Sequence, residues 1–279
     1  MTSNGGQASP AGSAEPTEID TSVAHAARVY DYLLGGRANF KVDRELAERA
    51  YAARPGGIDG ARAGVRDHRA ALGRVVRYCV REAGINQFLD IGTGIPKENN
   101  VHEVAQRETP DARVVYVDKD PVVLAHAHQL LRGTPEGKIN YAYGDLHDPQ
   151  PILREAGKIL DFSRPVAVLL LGILHFFSDD DDPRGLIGQL MTPLPVGSTL
   201  AITHLASDMH ANQISEMANR LNSRLAETVT LRTHDEVAAL LDGLDLVEPG
   251  VVPTTEWRPD PGTDVALSAM WCGVGRREG

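Results

Sequence analysis

Cysteine is nearly absent from this sequence, with Cys79 and Cys272 standing alone. Two thiols so far apart, both in apolar surroundings, argue against a disulfide framework and against a zinc cluster. Long hydrophobic runs are also missing. The longest, from Pro165 to Phe177, is too short to span a bilayer and suits a buried strand with its following loop. Basic residues are the minority charge, 28 against 38 acidic, for a net charge of −10. Phosphate binding needs a basic face, so no nucleic-acid partner is expected. The basic residues between Arg62 and Arg81 fall at helical spacing and read as a solvated helix face before they read as a polyanion site. The opening MTSNGGQASPAGSAEP has no basic n-region and no apolar h-region, so it does not read as a secretory signal. The expectation is a soluble, cytoplasmic protein without a membrane partner.

What is present is 279 residues, 42% of them hydrophobic, enough for one good core. Residues 1–17 are rich in Gly, Ser, Ala and Pro and are expected to form a disordered tail. Residues 18–84 carry a helical signal. Asp20 or Thr21 caps a first helix through Val23, Ala26, Tyr30 and Leu33, which Gly35-Gly36 stops. A second starts at Val42, and a long one covers 61–83 before Gly84. From 85 to 279 the pattern alternates. Strands are expected at 88–91, 114–117, 139–143, 166–171, 199–203, 244–252 and 268–274. Between them, Asn100 with Glu103 suggests a capping box, Asp120-Pro121 opens a helix over 122–131, and Thr233 with Glu236 caps 237–241. Seven strands alternating with helices predict an α/β fold with a mostly parallel sheet, whose ligand sits at the carboxyl ends of the strands.

Within that frame, FLDIGTGIPKENN at 88–100 begins as a strand and a glycine turn and then departs from a dinucleotide loop. Pro96 stands where a third glycine and an immediate helix would be needed to hold a pyrophosphate. Asp118 ends the second strand, 26 residues beyond Gly92, at an offset that suits a carboxylate accepting from both hydroxyls of a ribose. Asp145 follows the third strand where an adenine amino group could donate to it, and Asp90 suits an ammonium. Carboxylates and short backbone donors without a phosphate cradle fit adenine, ribose and a cationic amino-acid tail. The loop therefore reads as built for S-adenosylmethionine rather than a nicotinamide cofactor. Contacts are expected from Asp90, Gly92, Thr93 and Gly94, from Asp118 and Lys119, from Asp145 and Leu146, and from Gly172.

The segments ARVYDYLLGGRANFKVDRELA, FLDIGTGIPKENNVHEVAQ, VVYVDKDPVVLAHA and LLLGILHFFSDDDDP, in this order, resemble an S-adenosylmethionine-dependent methyltransferase family of high-GC bacteria. The resemblance covers nearly all of the chain after residue 18. It implies a class I, Rossmann-like methyltransferase fold with a seven-stranded sheet whose last strand is antiparallel. It also implies that Asp90, Gly92, Thr93 and Gly94 form the first cofactor loop. Asp118 would be the ribose acid, Asp145 the adenine contact, and 171–175 the loop facing the methyl group. It supplies no acceptor; a small molecule is the expectation, and a protein that holds the cofactor without transferring anything is the alternative.

Each candidate also has a plainer reading. Asp118 could serve only as a strand-end cap, Asp145 could cap a turn with Asp148, and Asp90 could hold its own loop. His175, between core residues, reads first as structural; if it acts, it lines the methyl-transfer site or takes a proton. His204, just after the fifth strand, is a second candidate base. The run 179–182 reads as a solvated loop rather than a metal site, and no metal is expected. Residues 28–40 read either as a helix–turn–helix packed on the sheet or as a lid, with Tyr30, Arg37 or Asn39 touching cofactor or substrate.

Overall fold

Five runs of branched and aliphatic residues form parallel strands that position everything else: β1 (Gln87–Ile91), β2 (Arg113–Asp118), β3 (Lys138–Tyr143), β4 (Ala167–Leu171) and β5 (Thr199–Leu205). This computed structural model describes residues 20–130, 132–262 and 267–279. The expected tail at 1–17 and the last residue of the expected helix at 122–131 lie outside the described residues. The strands lie in the order β3-β2-β1-β4-β5, and β8 (Met270–Arg276) runs antiparallel along β5. Strands β1, β4 and β5 are buried throughout, as a sheet covered on both faces requires.

Successive side chains leave a strand on opposite faces, so each strand feeds two cores. On one face Leu89, Val115, Val168, Leu170 and Leu200 pack with α6 (Pro149–Ala156), α7 (Pro183–Met191) and α9 (His234–Ala239). On the other Phe88, Val114, Leu169 and Ala201 pack with α4 (Val101–Glu108) and the second half of α3 (Gly57–Arg81), through Val75, Val76 and Cys79. Helix α5 (Pro121–Leu130) lies against β2 and β3.

Three helices close the carboxyl end of the sheet. In α1 (Ala26–Leu33), Val29 and Leu33 pack on Ala61 and Val65 of α3. In α2 (Lys41–Tyr51), Leu46 and Ala50 pack with Ile214, Met217 and Leu221 of α8 (Ala211–Asn222) and with Leu205 at the end of β5. Within the segment read as 18–84, residues 20–84 therefore share their packing with the sheet domain. No helix among the described residues is long and apolar enough to cross a membrane.

Among the described residues the sheet has eight strands where seven were expected. The segment at 244–252 splits into β6 (Asp245–Leu246) and β7 (Val252–Pro253), both antiparallel to β8. Pro249 has no amide hydrogen to give the ladder, and Gly250 takes φ 87°, so the chain leaves the sheet between them. The first helix starts at Ala26, not at Asp20; Ala24 forms a bridge to Leu225, and the Asp20 carboxylate instead holds the Ser22 amide. Asn100 forms no cap: its oxygen accepts from the Lys97 amide, while Glu103 reaches back to Asn99. Thr233 and Glu236 do close their capping box. Helices α6 and α7 went unread, although each opens on an Asp-Pro pair, and Asp182, at the end of the acidic run, accepts from the Gly185 amide at 3.0 Å.

Arg74 ties α3 to the loop after β7. Its guanidinium, buried, donates to the Trp257 carbonyl at 2.8 Å and the Thr254 carbonyl at 2.6 Å. Arg74→Met keeps the apolar stem and strands both carbonyls, so urea unfolding should show a loss of about 2–4 kcal/mol. A loss below about 0.5 kcal/mol would mean that water replaces the guanidinium at no cost.

Candidate functional site

A cavity of about 310 Å³ opens at the carboxyl ends of β1, β2 and β4 and runs beneath α1, α3 and α8. Its mouth is built by glycine turns. After Ile91 the chain reverses at Gly92 (φ 74°) and Gly94 (φ 66°), a region of backbone space closed to most side chains. The Gly92 and Thr93 amides donate to the Val117 carbonyl at 2.8 and 3.3 Å, which fastens the turn to β2. A Cβ on Gly92 would collide with the Ile173 side chain, whereas a Cβ on Gly94 would meet nothing within 4 Å. The first glycine thus packs the turn on the loop after β4, and the second leaves room above it.

Carboxylates line this end. Asp118 accepts from the Gly94 amide through Oδ2 at 2.8 Å and from the Asp120 amide through Oδ1 at 2.9 Å. Burial pushes its carboxyl above the usual range, against those amides, which pull it down. It therefore caps the strand end, as one reading held, and still presents its remaining lone pairs to the cavity that it lines. Asp90 is buried, and burial pushes its carboxyl up to about 7; the Arg69 charge pulls it down and Asp118 adds to the rise. Asp145 accepts from the His147 amide at 3.0 Å and pairs with the His147 ring at 2.7 Å, with the Lys119 ammonium 3.6 Å away. Burial raises Asp145, but His147 and Lys119 outweigh it and hold the carboxyl below its ordinary value. The Asp148 amide also donates to the Asp145 carbonyl, so a turn forms there as well. The ring of His147 stacks on Phe177 at 4.4 Å, and Leu146 lies buried beside them. Thr93, Lys119, Leu146 and Gly172 also line the cavity.

The histidines divide. His175 lines the cavity, buried, and among the described residues its Nδ1 has no hydrogen-bond partner. Burial, with the neighbouring His204, His68 and Arg232, holds its ring well below the usual pKa, so the ring is neutral. His204, the second candidate base, does not line the cavity: its Nδ1 bonds the Leu205 carbonyl at 2.8 Å and its Nε2 faces the Arg232 guanidinium at 2.9 Å. Strand alternation decides this, because the neighbouring Thr203 faces α3 and His204 must face away. Of the three residues suggested for residues 28–40, only Tyr30 reaches the cavity. Arg37 is exposed, and Asn39 is spent on its own turn, donating to Asp31 at 2.7 Å and to the Gly36 carbonyl at 3.0 Å.

His68, Arg69 and Arg54 also line the cavity, although none of them is a predicted site residue. The Tyr30 hydroxyl lies 2.8 Å from His68 Nδ1, and His68 Nε2 lies 2.8 Å from the Thr203 hydroxyl. Burial lowers His68 to about 4. His68 sits three residues after Val65 and four before Leu72, on the apolar stripe of its helix; that spacing was the available signal. Arg69 belongs to the basic run between Arg62 and Arg81 that reads as a solvated helix face; it is half-buried and lines the cavity instead, while Arg54 carried no signal.

Comparison with known proteins agrees with this geometry. The family described as S-adenosyl methyltransferase matches residues 12–278. A protein of the DUF574 family from Streptomyces avermitilis has 39% sequence identity and a TM-score of 0.87 over 92% of this chain and 99% of its own. A candidate methyltransferase from Thermobifida fusca has 39% identity and a TM-score of 0.85 over 95% and 99%. Magnesium protoporphyrin IX methyltransferase from Synechocystis, solved with S-adenosylhomocysteine, shares the fold alone, with 14% identity and a TM-score of 0.53 over 85% and 95%. No curated protein matches the sequence. The chain belongs to the S-adenosyl methyltransferase family, and it is an S-adenosylmethionine-dependent methyltransferase on the class I fold.

Proposed function

We propose that this enzyme methylates a small-molecule acceptor held in the same cavity as its cofactor. The observation that carries the reading is the make-up of that cavity. Its strand-end mouth is lined by Asp90, Asp118 and Asp145, and its inner part by Val29, Val65, Leu205, Leu221 and Met270. When bound, S-adenosylmethionine supplies a methyl carbon on a sulfonium that is already activated by its charge. The residues present fit such a group. Asp118 would take the ribose hydroxyls, Asp145 the adenine amino group, and Asp90 the ammonium; the open space at Gly94 leaves room for the amino-acid tail. The apolar inner part would exclude water and align the acceptor, which is most of what an in-line displacement asks of a protein. His175, which lines the cavity as a neutral ring, is the residue that would take a proton from an acceptor hydroxyl or amine.

The test is transfer of labelled methyl from S-adenosylmethionine into a small-molecule extract of a high-GC bacterium. Labelled product below about 1 kDa is expected; label only in macromolecules, or none, would sink the reading. His175→Gln should slow turnover roughly 10- to 1000-fold, the scale of acid–base catalysis, and leave S-adenosylhomocysteine affinity unchanged.

Asp90 gives the binding a pH dependence. Its carboxyl titrates at about 7 in the free protein, and the ammonium selects the ionised form. Affinity for S-adenosylhomocysteine should therefore fall as pH drops below about 7, approaching tenfold per unit, and level off above it. Asp118, also raised by burial, would add in the same direction, so Asp90→Asn separates them: binding weakens and the slope is reduced. Calorimetric titrations between pH 5.5 and 8.5 decide it; an unchanged slope in the variant would remove Asp90 from the ammonium role.

Residues 28–40 act, in this reading, as the lid of the cavity. Asp31 in α1 pairs with Lys97 in the loop after β1, and Tyr30 roofs the inner part. The Gly35-Gly36 turn, with Gly35 at φ 78°, is the natural hinge. Hydrogen exchange across 28–40 should slow on adding S-adenosylhomocysteine, and 61–81 should change less. Full protection of 28–40 without ligand would make the segment a fixed wall.

A further inference from the structure

Four basic side chains line the cavity, and three of them have partners. Lys97 pairs with Asp31, Lys119 lies 3.6 Å from Asp145, and Arg69 donates to the Glu98 and Asn99 carbonyls at 3.0 and 2.9 Å. The fourth is Arg54, in the turn between α2 and α3. Its residue is 8% exposed, and among the described residues its guanidinium makes no hydrogen bond and no salt bridge. The acid that attracts it, Asp67, stands outside the cavity lining, and the Asp67 Oδ2 is itself buried without a partner. A guanidinium set in a largely apolar wall, with no hydrogen-bond partner among the described residues and its nitrogens open to the cavity, is costly to keep unless something in the cavity supplies the partner.

The surroundings are shaped around this guanidinium. It lies over Gly64, in the interior of α3, where any Cβ would collide with it. A side chain at 64 would push the guanidinium out of this place, and glycine leaves it there. Tyr51, Val29 and Val65 flank the same end of the cavity and offer only apolar surface and a phenol.

We propose that the methyl acceptor is an apolar monocarboxylic acid whose carboxylate pairs with Arg54 while its body fills the inner part of the cavity. The inference rests on the acceptor sharing the cavity with the cofactor. A guanidinium matches a carboxylate with two parallel hydrogen bonds, which positions the acceptor as well as binding it. A single negative charge suits this site better than a phosphate dianion, because Asp90, Asp118, Asp120, Asp145 and Glu227 line the same cavity. The pairing holds the acid end at Arg54 and leaves the other end of the molecule free to meet the methyl carbon.

The experiment uses the protein saturated with S-adenosylhomocysteine. It is titrated with 4-hydroxybenzoate, indole-3-acetate and octanoate, with the primary amide of each, and with phenyl phosphate. At least one acid should bind, roughly tenfold or more tighter than its amide and tighter than phenyl phosphate, as the loss of a charge-assisted pair implies. Arg54→Gln should bring acid and amide within about threefold of each other and leave S-adenosylhomocysteine affinity unchanged. Arg54→Lys, which keeps the charge but loses the fork, should fall between, and it carries the test if the glutamine variant does not fold. Acids that do not bind, amides that bind as well, tighter binding of phenyl phosphate, or a preference that survives in both variants each overturns the proposal. Failure of wild-type protein to bind S-adenosylhomocysteine would instead overturn the cofactor site, so the two readings fail separately.

Discussion

The Asp118 carboxylate joins the parts of this site. One oxygen takes the Gly94 amide and the other the Asp120 amide, so a single side chain at the end of β2 fixes both the glycine turn after β1 and the start of the segment that enters α5. Backbone amides at strand ends have no ladder partner of their own, and a buried carboxylate without donors would be expensive. Each need meets the other here. The remaining loops build on this pair: the glycine turn packs through Gly92 on Ile173, and the loop after β4 carries Gly172 and His175 toward His68.

Burial of ionisable groups sets the character of the cavity. Asp90 and Asp118 are pushed up by desolvation, while His68 and His175 are pushed down by it. A carboxyl whose folded pKa is raised favours the folded state at low pH and loses that contribution as pH rises from its unfolded value through the folded one, here from about 4 to about 7 for Asp90. The ligand-free site is thus under electrostatic tension near neutrality, and a bound cation relieves it. The histidines act in the opposite sense: held neutral, they keep positive charge away from a sulfonium.

Arg232 shows how the same chemistry serves structure when both terminal nitrogens are met. It is buried and gives hydrogen bonds to the Leu174 and Phe177 carbonyls and to His204 and Asp179, fastening the loop after β4 to the segment before α9. Arg54, buried to a similar degree, has none of these contacts. Arginine content and spacing do not distinguish the two; only the positions of carbonyls from distant parts of the chain do.

The strands, the glycine turn and the acids beside it were legible because they are local. Alternating apolar runs, an aspartate at a strand end and glycines with positive φ are dictated by neighbours a few residues away, and S-adenosylmethionine followed from their order and spacing. Helices α6 and α7 carried a local Asp-Pro signal as well, which went unused. Tertiary structure alone decided which histidine faces the cavity, since Thr203 and His204 differ by one residue on a strand whose faces cannot be told apart until both sides are packed. It alone placed Arg54 and His68 beside loops that lie distant in the chain, and it separated Tyr30 from Arg37 and Asn39. Those contacts exist because α1, α2 and α3 fold back over the carboxyl end of the sheet to bury their apolar faces, and burial of area is a non-directional force that leaves no motif in the sequence.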